Sequence, residues 1–112
     1  MDIDITVLNR AMCAYVEILP VPERLHRHIT DEGMDRLRCE IVSELNAVMG
    51  TVGKHLRKSR SGLVWSAAFE ENFAQVLRAL HPWLGDVAIE RVFAYSRWLA
   101  WKWRLLKAFP ES

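Results

Sequence analysis

Between Met34 and Leu56 an apolar residue recurs at every third or fourth position: Met34, Leu37, Ile41, Leu45, Val48, Val52, Leu56. At 3.6 residues per turn this spacing draws one stripe more than six turns long. A strand would send alternate side chains to opposite faces and destroy the stripe. A chain of 112 residues that makes so long a one-sided helix must cover it with further helices.

The remaining sequence supplies them. Ile5, Leu8, Met12, Tyr15 and Leu19 step by three or four, with Asp2 or Asp4 as cap and Pro20 and Pro22 as the stop. Asp2-Ile3-Asp4-Ile5-Thr6-Val7 also alternates like a strand, but no second strand is there to pair with it, so a helix is expected. Pro22 suits the first position of a short connecting helix through His28. Thr30 suits the N-cap of the long helix, with Asp31 and Glu32 in the favourable first turn. Gly50 and Gly53 each cost about 1 kcal/mol against alanine and predict a bend or break. Ser59-Arg60-Ser61-Gly62 reads as a loop. Trp65, Phe69, Phe73, Val76 or Leu77, and Leu80 mark the next helix, stopped by Pro82. Asp86 caps the last, which is expected to run to about Phe109 before Pro110. The expectation is all-α: an antiparallel bundle of four main helices plus one short connecting helix, one domain over residues 1–112.

Hydrophobic content of 51% and charged content of 26% suit a globular chain able to bury roughly two-thirds of its unfolded surface. No run of about 18 apolar residues is present, so no membrane span is expected. The acidic start MDIDITVLNR is unlike a signal peptide, which points to the cytoplasm. Cys13 and Cys39 form no CxxC pair and read as small buried residues.

The net charge of +1 hides a division. Residues 1–44 hold nine acids and five bases; residues 45–112 hold ten bases and five acids. Leu45–Phe69 and Arg91–Pro110 contain no acid, yet carry nine of the fifteen Lys and Arg. Such a dipolar surface suits either the steering of an acidic partner or the pairing of one half of the fold with the other, whereas a chain of small net charge does not coat DNA non-specifically.

Catalytic and metal signatures are missing. His26 and His28 are two apart and diverge on a helix, and neither HExxH nor ExxH occurs, so no metal or cofactor is expected. Glu40 and Glu44 share a face, but Arg36 precedes them by one turn, as in a solvated charge ladder. No GxSxG, Gly-rich phosphate loop or Cys/His pair is legible, and the Arg–His spacings (Arg24 to His28, Arg78 to His81) are wrong for an α-helical ribonuclease. The chain is therefore expected not to be an enzyme.

Two surfaces remain. The segment Gly50–Arg60 has the outline of a helix-turn-helix, and Lys54, Arg57, Lys58 and Arg60 make an electrostatic patch able to meet phosphate. Its start, Thr-Val-Gly, lacks base-reading side chains, and the apolar stripe runs in register through both glycines. The second surface is AYSRWLAWKWRLLKAF, residues 94–109, with three tryptophans in six residues. On a helical wheel Val92, Tyr95, Trp98, Leu99, Trp103, Leu105, Leu106 and Phe109 form a core stripe about 160° wide. Trp101 falls about 60° beyond Trp98, between Arg97 and Arg104 at i−4 and i+3. The outward face then reads Phe93, Arg97, Trp101, Arg104, with Lys107 at its edge. Trp and Arg are the residue types most enriched at binding hot spots. The expected function is a non-catalytic helical module that recognises a protein partner, in its most concrete form a small bacterial toxin-neutralising inhibitor of the immunity-protein or antitoxin type. A homodimer through the same face, and nucleic-acid binding through Lys54–Arg60, are the alternatives.

Overall fold

The computed structural model describes residues 3–59 and 62–105, and these are all-α. The helices are α1 (Ile5–Tyr15), α2 (Pro22–Asp31), α3 (Arg38–Ser59), α4 (Ala67–Leu80) and α5 (Asp86–Lys102), with a 3₁₀ turn at Asp35–Leu37. Helix α1 packs on α2, α3 and α5, and α3 packs on α4 and α5. This arrangement is compatible with the expected antiparallel bundle.

Asp4 caps α1 by accepting the Thr6 N–H at 2.7 Å. The helix stops at Tyr15, four residues before the expected end. Arg24 of α2 explains why: its guanidinium donates to the carbonyls of Ala14, Tyr15 and Leu19. Carbonyls left open at a helix end are thereby satisfied from outside, and residues 16–20 are free to turn.

Pro22 opens α2 as expected, but Thr30 is not the N-cap of the long helix. Helix α2 continues through Asp31 and ends in a Schellman turn, with Met34 N–H donating to Ile29 O and Gly33 N–H to Thr30 O. Gly33 takes the left-handed conformation, φ 69°, which glycine adopts without the Cβ strain of other residues. The Thr30 hydroxyl instead donates to Asp35 and accepts from Arg38, tying α2 to the start of α3.

Helix α3 runs unbroken through Gly50 and Gly53, so the turn a helix-turn-helix needs is absent. Ile41, Leu45, Val48, Val52 and Leu56 are fully buried, as the stripe requires. Ser66, not Trp65, begins α4: its hydroxyl accepts the Phe69 N–H at 3.1 Å, and Trp65 lies just before the helix. Gly85, not Asp86, is the N-cap of α5. Asp86 occupies the first helical position, where its charge favours the dipole, and pairs with Arg78 at 2.7 Å.

The largest departure is the end of α5. It stops at Lys102 in a second Schellman turn, with Leu105 N–H donating to Ala100 O and Arg104 N–H to Trp101 O. Here the left-handed residue is Arg104, φ 57°. An L-residue with a Cβ loses about 1–2 kcal/mol in that conformation. Arg104→Gly is accordingly expected to stabilise the fold by about 0.5–1 kcal/mol after glycine's extra chain entropy, read as a higher urea midpoint. Arg104→Val should lower it.

Candidate partner-binding surface

The end of α5 meets the end of α3. Trp103, just past α5, lies under Arg57 of the last turn of α3, with the guanidinium carbon 5.0 Å from the ring centroid. Gly53, one turn earlier, lies beside both groups: a Cβ there would be in ordinary contact, 3.6 Å from an Arg57 guanidinium nitrogen and 3.9 Å from Trp103 Cη2. Leu105 O, turned back by the Schellman geometry, accepts the N–H groups of Gly62 at 2.9 Å and Leu63 at 2.8 Å. The two acid-free windows of the sequence are thus joined at one end of the molecule.

That end is basic and aromatic. Lys54, Arg57, Lys58, Lys102 and Arg104 are exposed. Trp101 is 51% exposed and Trp103 37%. An indole left that open costs hydration energy that a partner would recover, about 25 cal/mol per Å² of apolar surface covered.

Beneath it lies an aromatic cluster from α3, α4 and α5. Phe73 is central, stacked on His55 at 4.4 Å and tilted against Phe93 at 5.5 Å and Phe69 at 5.8 Å. Trp65 packs edge-on against Phe93 at 6.2 Å. The Trp65 indole N–H donates to Glu70 Oε2 at 2.5 Å, and Arg97 donates to the same oxygen at 3.2 Å. Arg97 also lies over the Trp65 ring, 5.8 Å from its centroid.

No protein-family model, curated sequence or solved structure matches the chain.

Of the expected contact face, Phe93, Arg97, Trp101 and Arg104 fall among the described residues. Trp101 is exposed, as expected. Phe93 is not on the surface: it is 4% exposed and belongs to the aromatic cluster. The wheel put it on the charged side because it allowed α5 only one buried stripe, whereas α5 is covered by α1 and α3 and also meets the rings of α4. Arg97 pairs with Glu70 and lies over the Trp65 ring. Arg104 is exposed beyond the end of the helix, so its i+3 relation to Trp101 does not hold. Trp103, expected in the core, is at the surface because the 100° step ends at Lys102. Trp98, also expected in the core, is half-buried beside Tyr95. Lys54, Arg57 and Lys58 are exposed together on α3, while Arg60 and Lys107 lie outside the described residues. Cys39 is exposed and Cys13 half-buried, so Cys39 is not the core residue expected.

Two histidines support this end from inside. His81, buried just after α4, hydrogen-bonds Thr51 Oγ1 of α3 at 2.7 Å. Burial holds its pKa below the ordinary 6.5, against a weaker upward pull from Glu44. His55 is lowered from the same value, chiefly by burial and then by Lys58. The folded state thus resists protonation more than the unfolded chain does. The stabilisation is present above pH 6.5 and is lost as pH falls from there through the lower folded pKa values. Urea midpoints should drop from pH 7.5 to pH 5, and His81→Gln should flatten that drop.

Among the described residues no helix is long and apolar enough to cross a membrane, and no group of three or more His, Cys, Asp or Glu side chains is placed to hold a metal ion.

Proposed function

We propose that the protein is a non-catalytic, cytoplasmic helical module that holds a protein partner at the joined ends of α3 and α5. In its most concrete form it is an inhibitor that occludes a toxin, of the immunity-protein or antitoxin kind. The observation that carries this reading is the convergence of Trp101, Trp103 and five exposed cations on one end of the fold. Indoles supply anchoring area and arginines supply directional contacts, while lysines around them raise the association rate.

The test is titration of the intact chain with the protein encoded by the adjoining open reading frame. A complex weakened about tenfold or more, about 1.4 kcal/mol, by Trp101→Ala and by Trp103→Ala supports the reading, since hot-spot truncations cost about 2 kcal/mol or more. The nucleic-acid alternative gives the reverse weighting: oligonucleotide binding with steep salt dependence, lost in the Arg57→Ala/Lys58→Ala double variant and kept in Trp101→Ala. That result would replace the proposal.

A further inference from the structure

The fold contains two arginines lying over tryptophans, and they differ in one respect. Arg97 over Trp65 encloses a carboxylate: Glu70 Oε2 takes the indole N–H at 2.5 Å and the guanidinium at 3.2 Å. Arg57 over Trp103 has the same two groups at 5.0 Å. Among the described residues, however, Arg57 makes no ion pair and the Trp103 indole N–H makes no hydrogen bond. Both face the acid-free end of the molecule, where the nearby Lys54 and Lys58 add positive charge.

We infer that the Arg57–Trp103 pair is a receptor for a side-chain carboxylate, an Asp or Glu of an acidic protein partner. The inference rests on the proposed function and adds the partner's chemistry to it. Glu70 shows what such a site holds within this same chain. A carboxylate is acceptor-only and matches two N–H donors. The flat guanidinium stays over the ring while donating from its edge, which a lysine ammonium cannot do. The surrounding cations make a carboxylate the complementary charge, and no acid of either flanking window competes for the position.

The probe is a capped synthetic peptide of alternating glutamate and leucine, titrated into the intact chain while the indole N–H resonances are followed by NMR. Its glutamine analogue is run in parallel, as are a glutamine peptide with a free C-terminal carboxylate, oligothymidine, and vesicles containing phosphatidylserine. The Trp103 indole proton should shift downfield with the glutamate peptide alone. The Trp65 proton, already bonded to Glu70, should stay in place. Arg57→Gln should weaken binding about fivefold to tenfold with unchanged thermal stability, because the residue is exposed. Equal binding of the capped glutamine analogue would overturn the carboxylate receptor while leaving a protein-contact surface standing. A response only to the free C-terminus would overturn the side-chain source. A response to oligothymidine or vesicles without any to the glutamate peptide would overturn both the receptor and the protein-partner reading.

Discussion

Phe93→Ala is expected to destabilise the protein by about 3–5 kcal/mol, the usual cost of removing a buried phenylalanine. The ring is 4% exposed and contacts Phe73 at 5.5 Å and Trp65 at 6.2 Å. Its loss opens a cavity beneath the α3–α5 end, where three helices share one aromatic cluster and little else can collapse inward. A surface phenylalanine would lose under about 0.5 kcal/mol by the same change, so the two placements of this residue give results that do not overlap. Urea unfolding of Phe93→Ala and Lys102→Ala side by side makes the comparison, with the exposed Lys102 within about 0.5 kcal/mol of the parent.

Asn9→Ala should cost about 2–3 kcal/mol, although the residue is neither apolar nor fully buried. Its side-chain amide spans the chain: Oδ1 accepts the Gly85 N–H at 2.7 Å, and Nδ2 donates to Trp83 O at 2.7 Å and Ile5 O at 2.8 Å. Alanine leaves one donor and two acceptors to find other partners, each at about 1 kcal/mol. Asn9→Asp separates the terms. It keeps the shape and the acceptor for Gly85 but turns an acceptor oxygen toward the Trp83 carbonyl. It should therefore be at least as destabilising as alanine at pH 7, and partly recover at acid pH, where the carboxyl carries a proton. Gly85→Ala tests the same joint from the other side, since a Cβ there would lie 3.2 Å from Asn9 Oδ1.

The contrast between these residues and the stripe of α3 shows what the sequence contains. Ile41 to Leu56 were legible because burial along one helix follows from spacing alone. Pro22 and Asp4 were legible because each acts on its own neighbours. The end of α1 was not, because Arg24 settles it from another helix. The end of α5 was hidden for a related reason: residues 103–109 carry helical spacing, and the turn that stops the helix places arginine where glycine would have been the signal. Of the contact face, Trp101 was legible as the residue out of register with its neighbours. Trp103 and Arg57 were each visible as residues, but nothing in the sequence pairs them. Their meeting depends on how α3 and α5 terminate side by side, and so does the burial of Phe93.

The Asn9 joint also bears on how the chain is made. Its partners Trp83 and Gly85 follow it by 74 and 76 residues. At roughly 5–20 residues per second of translation, α1 waits about 4–15 s on the ribosome before either arrives. Helix α5, its other packing partner, emerges later still. During that interval Leu8 and Met12, sealed in the finished molecule, have only α2 and α3 for shelter, so the burial of α1 is completed only when the C-terminal helix has been made.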